Sequence, residues 1–292
     1  MIFAIIGNLA KPGLCDAVGP LVSALVRAHG DFLLDNRIAE LLRSTGQTIP
    51  VSQAGSPEQC VREGEMLIAF GGDGTILSAA RLVGERSTPI LGVNLGKLGF
   101  LAEFSPEEVP RAVADLLAGN YVVEERLVLE AIVPSRPGLL VRGVNDIVVD
   151  KSRSSRLIDL DTHIDGAFAV TYRGDGLIVS TPTGSTGYAL SNGSPIVIPT
   201  CNVIGITPIS PHTLNGRPLV VPATSTIRIF VHASAGEVLL SADGQEECLL
   251  TPPAEILIRK APYPVRLVKR KDRSYFDVLR AKLFWGADAR SM

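Results

Sequence analysis

The sequence predicts an open α/β domain of Rossmann-like type followed by a β-rich, sandwich-like domain. Its 292 residues are enough for two ordinary domains, each with its own core. Short apolar runs alternate with helical patterns up to about residue 120. From about Tyr121, helical periodicity gives way to short β-rich runs separated by Gly, Pro, Ser and Asn.

The strand candidates of the first domain are short, unbroken apolar runs, which suit a parallel sheet covered on both faces. The first is followed by a helical pattern that places Leu14, Val18 and Leu21 on one face. A later helix opens at Ser105-Pro106 with a capping box, and Gly119 can close it. The strand candidates are residues 2–6, 32–34, 66–70 and 89–94.

The second domain reads as strands at 128–133, 146–150, 168–172, 177–181, 226–232 and 256–260. Residues 275–285 return to a helical pattern, with Phe276, Leu279, Leu283 and Phe284 facing one way. A lone terminal helix must bury that face, so we expect it to pack back on the first domain. The predicted domains are therefore 1–123 plus 272–292, and 124–271.

Composition excludes several classes of protein. A hydrophobic fraction of 46% with 20% charged residues is typical of a globular chain and not of disorder. The net charge of −2 provides no broad basic field for nucleic acid or an anionic membrane. No apolar run approaches the roughly 20 residues of a membrane span, and the apolar start is too short for a signal peptide. The cysteines at 15, 60, 201 and 248 form no CxxC pair, which favours reduced thiols in a cytoplasmic protein.

A glycine loop, Gly71-Gly72-Asp73-Gly74-Thr75, joins a buried strand candidate to a helical pattern at 76–82. Its glycines let the backbone approach a ligand, and the free N–H groups of the next helix favour phosphate there. Asp73 can then accept a proton from an attacking hydroxyl or hold Mg²⁺. The alternative is a plain strand-to-helix turn in which Asp73 caps the helix. The loop matches neither a Walker motif nor the GxGxxG fingerprint.

Other segments carry candidate binding groups. Asn94–Leu101 follows a strand candidate, so it either faces the ligand crevice of an open sheet or uses its glycines for tight packing. Asn145-Asp146 interrupts an apolar run and either brackets a ribose diol or an amide, or marks a bend. Thr181–Pro195 is rich in hydroxyls and glycines, and Tyr188 offers a stacking face. Its length and its coupling to Asp175 favour binding over an ordinary loop.

Three further features are assigned no catalytic role. The basic cluster at 266–273 is expected to be a solvated segment between the domains, with a phosphate contact as the alternative. The histidines at 29, 163, 212 and 232 lack metal-ligand spacing. No Gly-x-Ser-x-Gly elbow surrounds Ser185, which argues against a serine hydrolase.

Taken together, these motifs resemble the NAD kinase family, which phosphorylates NAD to NADP, and the ending looks bacterial. The glycine loop alone is shared with diacylglycerol kinases and loosely with phosphofructokinases, whereas the combination is specific. The resemblance spans almost the whole chain and is carried by Gly71–Thr75, Asn94–Leu101, Asn145-Asp146, Thr181–Pro195, Pro208–Leu214 with Arg217-Pro218, Asp243–Gln245 and Tyr275–Arg280.

The resemblance implies a role for each matching residue. Asp73 matches the catalytic base that takes the proton from the 2′-hydroxyl of the adenosine ribose. Gly71, Gly72, Gly74 and Thr75 match the residues that bind the phosphates of the donor. Some NAD-site positions are reached from a neighbouring subunit. The implied NAD-binding residues are Asp73, Gly74, Asn145, Asp146, Arg156, Arg173, Asp175, Thr186, Gly187, Tyr188, Ala189, Leu190, Ser191 and Gln245.

The resemblance also implies partners. The donor is ATP or polyphosphate, with Mg²⁺ that has no fixed protein ligands, and the chain is expected to form a homodimer or homotetramer. The rival functions are a lipid or sugar kinase on the same loop and a non-catalytic NAD-sensing protein. The chain departs from the family at Gly187, where Ala is usual, at Asn192 and Ser194, where small residues are common, and at Asp146, where Glu is frequent. These departures bear on the choice between NAD and NADH.

Overall fold

The computed structural model describes residues 1–27, 29–97, 99–213, 216–233 and 236–283. The described chain divides into two compact units. The first comprises Met1–Glu125 and the chain from Val265 onward, and the second comprises Arg126–Pro264. The second boundary differs from the one expected from sequence because residues 265–269, placed there in the β-rich domain, form a strand of the first unit's sheet.

The first unit alternates strands and helices, which confirms the predicted α/β domain. Its 3₁₀ turns lie at Val51–Gln53, Gly84–Arg86 and Pro106–Glu108. The strands are β1 (Phe3–Gly7), β2 (Phe32–Asp35), β3 (Ala54–Gly55), β4 (Met66–Gly71), β5 (Ile90–Asn94) and β6 (Val122–Arg126). The helices are α1 (Leu14–Arg27), α2 (Asn36–Ser44), α3 (Pro57–Glu63), α4 (Asp73–Val83) and α5 (Val109–Leu117). Helices α2 and α3 and the two-residue strand β3 are not predicted from sequence.

The second unit is rich in antiparallel strands. They are β7 (Leu129–Ile132), β8 (Leu140–Gly143), β9 (Asp146–Asp150), β10 (Ile158–Ile164), β11 (Ala167–Gly174), β12 (Gly176–Ser180), β13 (Val203–Ile209), β14 (Leu219–Pro222), β15 (Ile227–Ala233), β16 (Val238–Ala242), β17 (Glu246–Leu250) and β18 (Ala254–Lys260). A 3₁₀ turn (Thr183–Thr186) and the short helix α6 (Tyr188–Ser191) follow β12.

In the part of the chain that the structure describes, these strands form two six-stranded sheets. The strand orders are β11-β10-β15-β18-β7-β8 and β14-β13-β12-β9-β16-β17. One apolar core takes side chains from both sheets, such as Leu160 and Ile229 from the first and Ile147 and Leu240 from the second. The shared core confirms the predicted sandwich-like, β-rich domain.

The chain then returns to the first unit with β19 (Val265–Lys269) and α7 (Tyr275–Leu283). Among the described residues, the sheet of this unit has the order β3-β2-β1-β4-β5-β19-β6, and β19 pairs parallel with β5. The Tyr275 ring lies 6.5 Å from that of Phe100, so the terminal helix packs on the first unit as predicted. The side chains of Val278 and Leu279 are buried in this helix. Phe276, which the helical pattern placed on the buried face, is 45% exposed, so that part of the prediction was wrong. Phe284 and Trp285 lie outside the described residues.

Sheet topology determines where candidate site residues gather. The parallel strands β1, β4 and β5 end at one edge of their sheet, where ligands of open α/β sheets usually bind. In the second unit, β9 and β12 are antiparallel, so Asp146 lies opposite Ser180 and Asp150 lies opposite Gly176. Two opposite ends of that sheet therefore carry different candidate residues. Of the helices that are described, none has both the length and the apolarity to cross a membrane.

Candidate active site

The glycine loop runs from the last residue of β4 into the first turn of α4. Gly72 is the N-cap residue, and its carbonyl accepts hydrogen bonds from the N–H groups of Thr75 (2.9 Å) and Ile76 (3.2 Å). A methyl group at Gly71 would overlap the Thr75 side chain, so only glycine permits this tight turn. The arrangement leaves the N-terminus of an 11-residue helix at the carboxyl edge of the sheet, which favours an anion.

Asp73 is the first residue of α4, but its carboxylate does not cap that helix. Oδ2 accepts a hydrogen bond from the N–H of Phe100 (2.8 Å). Oδ1 accepts from the N–H groups of Leu101 (3.0 Å) and Ala102 (3.2 Å). A methyl group at Gly99 would overlap Oδ1. The capping alternative is therefore wrong, and the carboxylate is held at a fixed place by a segment distant in sequence.

The segment that starts at Asn94, the last residue of β5, combines a turn beside a cavity with a closely packed glycine. The side chain of Asn94 closes a turn, accepting from the Gly96 N–H (2.8 Å) and donating to the Lys97 carbonyl (2.7 Å). A cavity of about 470 Å³ in the first unit is lined by Asn94, Leu95 and Gly96, among others. Gly99, in contrast, is needed for close packing against Asp73. Leu98, within the same motif, lies outside the described residues.

The basic cluster at 266–273 is not a solvated linker, which corrects the expectation from sequence. Its first part is β19, and the Lys269 side chain is only 12% exposed. Its charges are largely neutralised by carboxylates of the same unit. Glu103 follows directly on the residues that hold Asp73, so its ion pair braces that segment against β19. The ion pairs join Arg266 to Glu125, Lys269 to Glu103, and Arg270 to Glu108 and Asp272.

In the second unit, the two main candidate segments come together at one end of a sheet. The Asn145 carbonyl accepts from the Thr181 N–H (2.8 Å), and the Thr181 hydroxyl donates to the Val144 carbonyl (2.6 Å). A methyl group at Gly184 would overlap the Asn145 carbonyl oxygen. The 3₁₀ turn after β12 therefore packs tightly on the Asn145-Asp146 pair, which stands at the start of β9.

Asp146 is a buried carboxyl group with only 5% of its surface exposed. Burial, and secondarily the charge of Asp243, raises the pKa of Asp146 to about 7. The Asp243 carboxylate accepts backbone hydrogen bonds from Val144 (2.9 Å), Asn145 (2.7 Å) and Asp146 (3.1 Å). The role of Asp243 is not predicted from sequence, although its Asp-Gly pair between two strands is a hairpin-turn signal.

The residues 186–191 adopt distinct environments. Tyr188 is 47% exposed and presents its ring to solvent, which suits the predicted stacking role. Ala189 is fully buried and packs with Val148, Ile178 and Ile209, so its side chain serves the core. A methyl group at Gly187 would lie 3.2 Å from the Gly184 carbonyl oxygen, 3.9 Å from Asn145 Nδ2 and 4.0 Å from Asp146 Oδ2. Position 187 therefore lies beside the Asn145-Asp146 pair, and a larger residue there would press on the backbone of the 3₁₀ turn. Thr186 donates to the Thr183 carbonyl (3.2 Å), while Leu190 is half-buried and Ser191 is exposed.

The structure does not bring Arg156, Arg173 and Asp175 to this end of the sheet. Asp175 precedes Gly176, which is separated from Ser180 by the length of β12, about 14 Å at the usual strand rise. Asp175 forms an ion pair with Lys151 (2.7 Å), and Arg173 lies 3.8 Å from Asp159. Arg156 lines a cavity of about 1360 Å³ in the second unit with Arg136, Arg153 and Cys248. Gln245, in contrast, lies at the end of the sheet that carries Asn145 and Asp146, in the turn that contains Asp243.

A glycine loop at a helix N-terminus, with a fixed carboxylate beside it, on an α/β unit joined to a β-rich unit, is typical of a kinase of the two-domain type. The model of the ATP-NAD kinase N-terminal domain matches residues 3–121, and that of the ATP-NAD kinase C-terminal domain matches residues 144–270. These matches cover most of the chain. The chain belongs to the NAD kinase family and not to the lipid or sugar kinases that share its loop.

Relatives and solved structures agree with this assignment. An NAD kinase from Moorella thermoacetica is 43% identical over 285 residues, covering 95% of this chain and 88% of the relative. One from Pseudomonas entomophila is 39% identical over 287 residues, covering 97% and 95%. The crystal structure of yeast NADH kinase complexed with NADH matches with a TM-score of 0.90 at 28% identity, covering 100% of this chain and 89% of that one. An NAD kinase from Archaeoglobus fulgidus in complex with ATP matches with a TM-score of 0.75 at 27% identity, covering 96% and 99%.

Proposed function

We propose that this chain transfers the terminal phosphoryl group of ATP to the 2′-hydroxyl of the adenosine ribose of NAD, giving NADP. Membership of the NAD kinase family supports the reaction. The observation that carries the residue assignment is the carboxylate of Asp73, held by the backbone of residues 100–102 beside the glycine loop. Phosphoryl transfer depends mainly on positioning and on neutralising charge, so a rigidly placed carboxylate is what the reaction needs.

The glycine loop is proposed to hold the donor. Gly71, Gly72, Gly74 and Thr75 surround the N-terminus of α4, whose free N–H groups favour phosphate oxygens. Mg²⁺ would neutralise the phosphate charge. We expect the ion to arrive on the phosphates of ATP, as Mg²⁺ commonly does.

The Asn145-Asp146 end of the second unit is proposed to hold NAD. The amide of Asn145 can donate to a ribose oxygen, and the carboxyl group of Asp146 can bond a hydroxyl in either protonation state. Tyr188 supplies a stacking face, and Thr186 to Ser191 and Gln245 line the same end. Asp73 then accepts the proton of the 2′-hydroxyl as the phosphoryl group arrives.

Arg156, Arg173 and Asp175 are proposed to contact NAD bound to a neighbouring subunit of a homodimer or homotetramer. Their separation from Asn145-Asp146 along β12 supports this role, because a residue so far along the strand does not reach the same ligand group within one chain. We also propose that the enzyme acts in the cytoplasm, where ATP and NAD are available as substrates.

A coupled assay for NADP formation, run with ATP and separately with polyphosphate, tests the proposal. We expect NADP only when NAD, Mg²⁺ and a donor are all present, and the comparison of donors decides between them. Binding of NAD without ATP consumption would instead indicate an NAD-sensing protein. Failure of NAD to raise the thermal unfolding midpoint would overturn NAD as the substrate.

The variant Asp73→Asn tests the proposed base. We expect turnover to fall by about a hundredfold or more, the range of general-base loss, while NAD binding stays measurable. Asp115→Asn is the matched control, because Asp115 lies on α5 of the same unit and its carboxylate accepts a hydrogen bond from the Asn120 side chain (3.2 Å). Full activity in Asp73→Asn would refute the assignment.

A further inference from the structure

The turn between β16 and β17 is an Asp-Gly hairpin turn. Asp243 has a φ of +53° and Gly244 a φ of +61°, as such turns require. Ala242 pairs with Glu246, and the N–H of Gln245 donates to the Ala242 carbonyl (2.9 Å). The hairpin therefore carries a proposed NAD contact, Gln245, next to an acidic side chain.

The Asp243 carboxylate reaches across to the strand that starts at the proposed ribose pair. Oδ1 accepts from the N–H groups of Asn145 (2.7 Å) and Asp146 (3.1 Å), and Oδ2 accepts from that of Val144 (2.9 Å). The N–H of Asp243 also donates to the Asp146 carbonyl (3.1 Å). Hydrogen bonds to an ionised acceptor are about twice as strong as neutral ones, so this contact is a firm anchor.

The chain contains a second turn of the same kind, which shows what such a turn does by itself. Asp165 and Gly166, between β10 and β11, have φ values of +52° and +84°. The Asp165 carboxylate accepts from the Thr226 N–H (2.8 Å), and the Asp165 N–H donates to the Thr226 carbonyl (3.0 Å). The Asp165 carboxylate thus holds its turn against the neighbouring strand by accepting one backbone N–H. The Asp243 carboxylate accepts three, and two of them belong to Asn145 and Asp146.

We propose that Asp243 is a positioning residue of the NAD site, whose carboxylate holds Asn145 and Asp146 in the orientation that binds the ribose. This inference rests on the proposed function of those two residues. A carboxylate offers two acceptor oxygens, whereas an Asn side chain offers one oxygen and turns an NH₂ group towards a backbone donor. In Asp243→Asn the single oxygen can face either the Asn145 and Asp146 N–H groups or that of Val144, and the NH₂ group repels the N–H on the other side. The three bonds therefore cannot all form, and the backbone of residues 144–146 shifts.

The experiment compares Asp243→Asn with Asp165→Asn in the coupled NADP assay. For Asp243→Asn we expect the KM for NAD to rise at least tenfold, while the KM for ATP stays within twofold of the unsubstituted enzyme. For Asp165→Asn we expect both KM values to stay within twofold, although each substitution removes a carboxylate from the same kind of turn. Thermal unfolding midpoints of both variants separate a general loss of stability from a local loss of NAD binding.

Asp243→Ser is the second variant if the Asn variant does not fold, because it places no NH₂ group against the backbone N–H groups. Its shorter side chain cannot make all three bonds, so we again expect the KM for NAD to rise at least tenfold. The inference is overturned if the KM for NAD stays within twofold in the folded variants, if the KM values for NAD and ATP rise equally, or if Asp165→Asn matches Asp243→Asn.

Asn145→Ala, measured in parallel, distinguishes this inference from the function on which it rests. If Asn145→Ala leaves the KM for NAD unchanged, the assignment of the ribose pair fails. If Asn145→Ala raises that KM while the Asp243 variants do not, only the positioning role of Asp243 fails.

Discussion

Replacing Asp146 with Asn removes a carboxyl group that the fold buries almost completely. Asp146 is 5% exposed, and burial together with the nearby charge of Asp243 raises its pKa from 3.8 to about 7. In the unfolded chain the same group titrates near its ordinary value of about 3.9. The folded protein therefore holds this proton more tightly than the unfolded chain does.

The sign of the effect follows from this difference. The stabilisation due to the protonated carboxyl is complete below the unfolded pKa and is lost as the pH rises through the folded pKa. A shift of about 3 pKa units corresponds to about 4 kcal/mol at alkaline pH, of which about 2–3 kcal/mol is lost between pH 5 and pH 8. Asp146→Asn has the same shape and no titrating proton, so its folded state does not lose this stability.

Urea unfolding followed by far-UV circular dichroism at pH 5, 6, 7 and 8 measures the effect. We expect the unfolding free energy of Asp146→Asn, relative to the unsubstituted protein, to rise by about 2–3 kcal/mol from pH 5 to pH 8. Asp165→Asn, at an exposed turn of the same unit, reports what the same chemical change does to stability elsewhere. A difference between Asp146→Asn and the unsubstituted protein that stays constant across this pH range would refute the reasoning.

Three further substitutions test the contacts that hold Asp73 in place and the packing beside Asn145-Asp146. Gly99→Ala forces the Asp73 carboxylate to move, so we expect kcat to fall about a hundredfold with little change in the KM for NAD. Lys269→Met leaves the buried Glu103 without its cation and should cost about 3–5 kcal/mol in urea unfolding, most of which the double variant with Glu103→Gln restores. Gly187→Ala places a methyl group 3.2 Å from the Gly184 carbonyl oxygen, beside the ribose pair, so the turn must shift; about 1 kcal/mol of overpacking should raise the KM for NAD about fivefold.

Each of these has a contradicting result. Unchanged kcat in Gly99→Ala would mean that the position of Asp73 does not govern turnover. A double variant no more stable than Lys269→Met would show that the unpaired carboxylate was not the cause of the loss. A KM for NAD that stays constant in Gly187→Ala, or moves together with the KM for ATP, would remove position 187 from the NAD site.

The sequence by itself determined the features that depend on neighbouring residues. The unbroken apolar runs of β1 and β4 predicted buried parallel strands, and the glycine loop predicted a tight turn before a helix. Helix α3 was missed although Ser56 and Pro57 form a cap signal, because its seven residues are too few for a clear periodicity.

Tertiary structure alone decided which distant groups meet. Asp73 is held by residues 100–102, and Lys269 pairs with Glu103 across most of the chain. Asp243 anchors Asn145-Asp146, while the length of β12 separates Asp175 from that pair. The residue type determines which hydrogen bonds and which opposite charge a side chain needs. Packing and strand register determine which other residue provides them. Local pattern therefore identified the chemistry of Asp73 and Asp146, and the fold supplied the groups that hold them in place.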